Sequence, residues 1–149
     1  MSVITKEELL SMPELHKQIR TLQERHALYE AKAMGGAIEC KERVQTSISA
    51  KSSIYPDMAV DLERDIEKLE AQLIPLISKV EVFAKELPDP LERDVIRFRY
   101  IYGYDWGKIG ELVKYSARHC YNIDRRVVKK MFIFFSELVR CTEVVLIVQ

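Results

Sequence analysis

The stretch DPLERDVIRFRYIYGYDWGKIGELVKYSARHCYNIDRRVVKK, residues 89–130, decides the fold expected for this chain. Its first helix follows Asp89, a capping residue placed directly before a proline. A second helix is predicted to begin at Asp105, and a third at Ser116, because both residue types are good N-caps. The turn at residues 114–116 is short enough to make the last two helices cross steeply. The sequence therefore predicts a helix-turn-helix.

The third of these helices separates into two faces when its residues are placed at roughly 100° per residue. One face is apolar and is predicted to be buried; it consists of Cys120, Ile123, Val127 and Met131. The other face carries the residues predicted to bind nucleic acid: Ser116, Arg118, His119, Tyr121, Asn122, Arg125, Arg126, Lys129 and Lys130.

Arginine and asparagine on that second face match the donor and acceptor edges of guanine and adenine in the major groove, whereas lysine and flanking arginine suit phosphates. The side chains nearest the helix start, Arg118, His119 and Asn122, are expected to contact bases, and the later cations to lie near the backbone. Asp124 is the only acid among residues 118–130. A cationic stripe is often just a solvated helix face, but its position after a capped turn favours nucleic acid.

The charge of the chain is unevenly distributed. Lysine plus arginine balance aspartate plus glutamate at 23 each over the whole sequence. Residues 1–90 contain 12 basic and 16 acidic side chains, whereas residues 91–149 contain 11 and 7. The C-terminal part can therefore approach phosphate while the acidic N-terminal part faces solvent or protein.

The N-terminal part, residues 1–88, is predicted to be an antiparallel, coiled-coil-like helical hairpin that serves self-association. A short helical turn after Thr5 precedes a longer helix that starts near Pro13, since both sites have the form of a capping box. Pro75 could kink the second helix. The polar residues 35–57 form a flexible connector in this prediction. The repeats on which the hairpin depends are Leu15, Ile19, Leu22, His26, Tyr29 and Ala33, then Leu62, Ile66, Leu69, Leu73, Leu76, Val80 and Phe83.

The chain ends in an unusually apolar segment. The helix-turn-helix domain is assigned to residues 89–140 and an apolar tail to residues 141–149. Because such a tail would favour aggregation if exposed, its burial in a homodimer is the simplest explanation, with packing onto the same chain as the alternative.

Composition indicates an all-α protein in a reducing compartment. Only five glycines and five prolines occur in 149 residues, which fits a helical protein. Cys40, Cys120 and Cys141 are too few and too scattered for a disulfide framework. No signal peptide and no run of roughly 20 apolar residues is seen, so we expect a cytoplasmic protein without membrane contact.

No enzyme signature is present, so no catalytic residue, metal ligand or cofactor is predicted. His26 occupies a heptad position. A histidine at such a position is more often a tolerated polar core residue than a metal ligand. Glu63, Glu67 and Glu70 share one helical face, but no histidine or cysteine joins them in the sequence. A solvated acidic face therefore explains them better than a metal cluster.

A resemblance covers roughly residues 87–131. The elements RYIYGYDWGKI, from Arg99 to Ile109, and YSAR, from Tyr115 to Arg118, resemble small phage and prophage transcriptional regulators whose C-terminal part is like region four of bacterial sigma factors, the ArpU and RinA type. The resemblance implies sequence-specific DNA binding through the helix from Ser116. Lys114 departs from it, standing where the turn commonly has glycine, and so does the apolar tail.

The expectation is thus an all-α DNA-binding transcriptional regulator, with duplex DNA and a second copy of the chain as partners and host RNA polymerase as a further candidate, acting in a bacterial host cell. Two alternatives remain open at this point. One is a small terminase subunit of a phage. The other is a protein-interaction factor that binds a host polymerase or inhibits a host enzyme and whose helix-turn-helix does not touch DNA.

Overall fold

The computed structural model describes residues 4–34 and 54–147, with side chains up to Ile133. This part of the chain is all-helical and has no strand, as the sequence predicted. Its elements are α1 (Lys6–Ala33), α2 (Ile54–Glu86), α3 (Pro90–Ile96), a π-helical turn (Arg97–Ile101), α4 (Trp106–Val113) and α5 (Ala117–Ile147). Residues 35–53 of the predicted connector lie outside the described residues. Residues 54–57 were also predicted to belong to the connector, which is wrong, because they form the first turn of α2.

Two compact units make up the chain. One contains residues 14–75, and the other contains residues 1–13 together with residues 76–149. The boundary between the units therefore falls at Pro75, inside helix α2. The sequence had assigned all of residues 1–88 to one hairpin.

The start of α1 confirms one capping box and corrects the other. The Thr5 N–H donates to the Glu8 carboxylate at 2.8 Å, and the Glu8 N–H donates to Thr5 Oγ1 at 3.2 Å. The predicted second start near Pro13 is wrong, because α1 runs without interruption from Lys6 to Ala33. The Ser11 hydroxyl donates to the Glu8 carbonyl oxygen at 2.7 Å inside the helix instead of capping a new one. Pro75 likewise lies inside α2 without ending it.

The antiparallel pairing of α1 with α2 is confirmed in the unit of residues 14–75. The rings of Tyr29 and Tyr55 lie 6.1 Å apart, and His26, which precedes Tyr29 on α1, contacts Glu63, which follows Tyr55 on α2. Every heptad position named above is buried or half-buried, and Ile19, Leu62 and Leu73 are the most buried of those within this unit. The apolar repeat therefore faces the partner helix, as its spacing predicted.

The second unit has its core under α5. The predicted apolar face of α5 is confirmed, since Cys120, Ile123, Val127 and Met131 are all at most 3% exposed. Val95, Ile96 and Tyr100 from α3 and the π-helical turn, and Ile109 from α4, complete the core of the helix-turn-helix.

The apolar spacing of α4 predicts a buried side that includes Ile109 and Leu112, and the prediction is wrong for Leu112, which is 44% exposed. Helix α4 instead buries Ile109 and Gly110.

Helix α5 is longer than the predicted recognition helix. It continues past Met131 and the predicted domain end at residue 140 to Ile147, so the predicted tail of residues 141–149 is helical through Ile147. The side chains beyond Ile133, on which the homodimer prediction depends, lie outside the described residues.

Candidate nucleic-acid interface

The cap at the start of α5 sets the direction of the helix. Ser116 accepts a hydrogen bond from the His119 backbone N–H through its Oγ at 3.1 Å, as an N-cap does. Of the nine predicted site residues, Ser116 thus has a hydroxyl that is already engaged by the chain itself. Asp105 caps α4 in the same way, accepting from the Lys108 N–H at 2.8 Å.

The turn between α4 and α5 depends on two unusual backbone positions. Lys114 has a φ of 63°, in the left-handed region that favours glycine. A Cβ added to Gly110 would lie 2.6 Å from the Tyr115 carbonyl oxygen and 3.2 Å from the Ala117 nitrogen. The backbone after α4 therefore passes so close to Gly110 that no side chain fits there, and this contact holds α5 against α4.

All nine predicted site residues are exposed on the same helix or at its cap. Asp124, the one acid of residues 118–130, is only 7% exposed and lies on the buried side. The surface that α5 presents over these residues therefore carries cations, amides and aromatic rings but no carboxylate.

Four of these side chains form the outermost strip of the helix: Arg118, Asn122, Arg125 and Lys129. Among the residues whose side chains the structure describes, none of the three cations forms an ion pair with a carboxylate. Their charges remain available to a polyanion.

Aromatic contacts support one edge of this strip. The Arg125 guanidinium lies 5.8 Å from the Tyr121 ring centroid, and the Tyr121 ring meets Trp106 edge-on at 5.6 Å. The Arg99 guanidinium lies 4.5 Å from the centroid of Trp106 and donates to the Tyr104 carbonyl oxygen at 3.0 Å. Cation–π contacts of this kind restrict the orientation of an arginine without neutralising its charge.

The opposite edge of α5 is partly neutralised by the chain itself. Arg126 Nη2 donates to Glu92 Oε1 at 2.9 Å, and Lys130 Nζ lies 3.5 Å from the same oxygen. The Glu92 side chain is 5% exposed, whereas Arg126 and Lys130 remain 56% and 62% exposed. Two of the predicted cations are therefore anchored by one buried carboxylate. Sequence reasoning missed Glu92 because it lies 34 residues before Arg126.

A buried polar pair lies beneath the strip. Tyr100 and Asp124 are joined by a side-chain hydrogen bond, and one oxygen of Asp124 has no hydrogen-bond partner. Burial raises the pKa of the Asp124 carboxyl, although the Tyr100 hydroxyl and the Arg99 charge partly oppose that rise. Burial and the neighbouring Asp124 charge also raise the pKa of the Tyr100 hydroxyl.

The aromatic pair at the leading end of α5 is a further feature that the sequence analysis did not single out. The Tyr115 and His119 rings lie 5.0 Å apart, and Tyr115 is 51% exposed. Its exposed ring adds an aromatic surface at the leading end of α5. Cys120 points the other way; burial raises the pKa of its thiol, as expected for an unreactive core cysteine.

Comparison of the chain with known protein families, with curated proteins and with solved structures finds no match. Across the described residues, no helix combines the length and apolar character that crossing a bilayer requires.

Proposed function

We propose that this protein binds duplex DNA by placing the first turns of α5 in the major groove. The observation that carries this proposal is the exposed strip of Arg118, Asn122, Arg125 and Lys129, whose only neighbouring acid in the helix, Asp124, is buried. A helix fits the major groove, and a strip without carboxylates avoids repulsion from the phosphates on both sides of it.

The spacing along α5 suggests which side chains contact bases. An α-helix rises about 1.5 Å per residue, so Arg118 and Asn122 lie about 6 Å apart along the axis. Bases on one strand are about 3.4 Å apart, which makes this separation close to two base-pair steps. Lys129 lies about 16 Å beyond Arg118 on the same scale, outside a groove about 12 Å wide, and suits the phosphate backbone.

The chemistry of the two leading side chains then defines a site. Arginine pairs best with the O6 and N7 atoms of guanine, and asparagine with the N6 and N7 atoms of adenine. The preferred half-site contains a guanine and an adenine about two steps apart. Control of phage or prophage transcription belongs to the same proposal and rests on the resemblance described above. The dimeric state rests on the apolar C-terminal segment and the heptad repeats, and host RNA polymerase is a further candidate partner.

Binding experiments can separate base contacts from phosphate contacts. Arg118→Ala should relax discrimination at one base position and cost about 1–3 kcal/mol, whereas Lys129→Ala should weaken all sequences alike and reduce the salt slope by about one unit. Fluorescence anisotropy with DNA selected from a random pool, at two salt concentrations, measures both effects.

Lys68→Ala is the matched control, because Lys68 is an exposed lysine that pairs with Asp65 on α2, in the unit of residues 14–75. It should leave binding unchanged. The proposal is wrong if the wild-type chain binds no DNA at low salt, or if the Lys68 variant weakens binding as much as the Lys129 variant.

A protein partner is the second candidate, favoured by apolar side chains on the surface of the α1 and α2 pair. Leu28, Val60 and Ile74 are 41%, 45% and 63% exposed, and residues 1–90 carry four more acidic than basic side chains. Exposed apolar side chains mark an interaction surface where they form one contiguous patch. Light scattering of the purified chain distinguishes self-association from a monomer, and binding to host polymerase without binding to DNA would favour this candidate.

A further inference from the structure

Three side chains from two helices converge in the unit of residues 14–75. His26 and Glu30 lie one turn apart on α1, and Glu63 reaches them from α2. His26 Nε2 is 3.0 Å from Glu63 Oε1, and His26 Nδ1 is 3.6 Å from Glu30 Oε2. His26 precedes Glu63 by 37 residues, so the spacing of the acidic residues on α2 gives no sign of a histidine beside them.

The arrangement places a carboxylate oxygen beside each nitrogen of one imidazole ring. A neutral imidazole has one N–H donor and one lone pair, so it can satisfy only one of the two carboxylates. The remaining nitrogen then presents its lone pair to another negatively charged acceptor. Either a proton on the ring, which makes both nitrogens donors, or a metal ion shared by the ring and the carboxylates removes that repulsion.

We propose that His26, Glu30 and Glu63 bind a divalent transition-metal ion of the zinc class between α1 and α2. One ring nitrogen and one oxygen from each carboxylate lie within 4.8 Å of one another. Zinc takes nitrogen and carboxylate ligands at about 2.0–2.2 Å, so tetrahedral ligands are about 3.3 Å apart. The glutamate beside the other ring nitrogen has to turn toward the nitrogen that binds the metal.

The exposure of the ligands suits such a site. The His26 side chain is 17% exposed and is held between the helices, while Glu30 and Glu63 are each 55% exposed and free to reorient. Three protein ligands leave the fourth position to water. Imidazole in the ligand set favours zinc, nickel or copper over magnesium and calcium, which prefer oxygen ligands alone.

The bound ion would stabilise the pairing of α1 with α2. It joins residues that are far apart in sequence, and a ligand that binds only the folded state raises the temperature of unfolding. This proposal does not depend on DNA binding, which uses residues of the other unit.

Zinc binding to the full-length chain tests the proposal. The parent for the experiment carries Cys40→Ser and Cys141→Ser, so that those thiols do not compete for the metal. Titration calorimetry with zinc chloride at neutral pH should give one site per chain, and thermal unfolding should shift upward with zinc and return with a chelator. His26→Ala, and separately Glu63→Gln, should weaken binding at least about tenfold, in line with the loss on altering a metal site.

Glu67→Gln is the matched control, since Glu67 is an exposed acid one turn after Glu63 and outside the cluster. It should bind zinc like the parent. If circular dichroism shows that His26→Ala does not fold, the zinc affinity of Glu63→Gln decides the test. Absence of stoichiometric binding in the parent, or equal affinity in the parent and the Glu63→Gln variant, would overturn the proposal.

Discussion

At the scale of single residues, Tyr100 and Asp124 form a buried polar pair in the core of the helix-turn-helix. Asp124 is 7% exposed and Tyr100 is 2% exposed, so the carboxylate has been removed from water and receives its side-chain hydrogen bond from one phenol. A buried acceptor that loses its donor retains the full cost of desolvation. The packing of α5 therefore depends on a hydroxyl that lies on the side of the helix opposite its exposed cations.

Replacing that hydroxyl should destabilise the fold. We expect Tyr100→Phe to lower the free energy of unfolding by about 1–3 kcal/mol at neutral pH, because the Asp124 carboxylate then has no donor. Urea unfolding followed by circular dichroism measures the change. Tyr102→Phe is the control, since Tyr102 is 55% exposed, and it should leave stability nearly unchanged. Equal effects of the two substitutions would contradict this interpretation.

Lys114 stores backbone strain at the end of α4. A non-glycine residue in the left-handed region costs about 1–2 kcal/mol. Glycine avoids this steric cost but loses more chain entropy on folding, so the substitution recovers only part of that free energy. Lys114→Gly should therefore raise the free energy of unfolding by about 0.5–1 kcal/mol. Lys114→Ala removes the same charge but keeps the strain, so a gain in thermal stability with alanine as large as with glycine would disprove the argument.

At the scale of elements, the turn between α4 and α5 is determined by Gly110. The neighbouring atoms are backbone atoms of Tyr115 and Ala117, which cannot move aside as a flexible side chain could. Gly110→Ala should cost about 1–3 kcal/mol of stability, the usual cost of overpacking, and should weaken DNA binding by shifting α5.

Gly107→Ala is the matched control within α4. Its added Cβ would meet only the Asp105 carboxylate oxygen, at 3.3 Å. Alanine favours a helix over glycine by about 1 kcal/mol, which offsets that contact. Gly110→Ala should therefore have a lower free energy of unfolding and a weaker affinity for DNA than Gly107→Ala. The packing argument fails if Gly110→Ala behaves like Gly107→Ala.

Local sequence signals predicted the elements well because each depends on neighbouring residues. The caps at Asp89, Asp105 and Ser116 accept the backbone hydrogen bonds that their residue types favour. The buried face of α5 followed from the spacing of Cys120 and Val127, which needs no knowledge of the partner helices.

Contacts between distant residues could not be predicted in this way. The anchoring of Arg126 by Glu92 and the approach of His26 to Glu63 join residues on separate helices, and no spacing rule relates them. The second start near Pro13 was wrongly predicted because the local capping signal there competes with a helix that was already established at Thr5.

At the scale of the whole molecule, two ion pairs tie outlying segments into the unit that carries the helix-turn-helix. Lys79 Nζ lies 2.7 Å from Glu8 Oε1, and Arg97 forms two hydrogen bonds to the Glu81 carboxylate, at 2.6 and 3.1 Å. The Lys79 hydrogen bond lowers the pKa of Glu8, and the Arg97 hydrogen bonds lower that of Glu81.

These lowered pKa values predict sensitivity to acid. A carboxyl group whose pKa is lower in the folded state stabilises the fold when ionised, so its contribution is complete above the ordinary value of 4.5 and is lost as the pH falls through the lowered value. The stability difference between wild type and Glu81→Gln should be largest near pH 6 and shrink below pH ~4.5. Urea unfolding across that range measures it, and a pH-independent difference would contradict the assignment.

The distribution of charge over the molecule gives the last prediction. Glu92 neutralises part of the charge of Arg126 and Lys130, so Glu92→Gln should release those cations toward phosphate and steepen the salt dependence of DNA binding by about one unit. Glu111→Gln changes the net charge by the same amount, but Glu111 pairs with Lys108 on α4, so it should steepen the dependence less. Long-range attraction between the protein and DNA phosphates would change equally in both variants. Identical salt slopes for Glu92→Gln and Glu111→Gln would therefore show that the contact between Glu92 and α5 does not limit DNA binding.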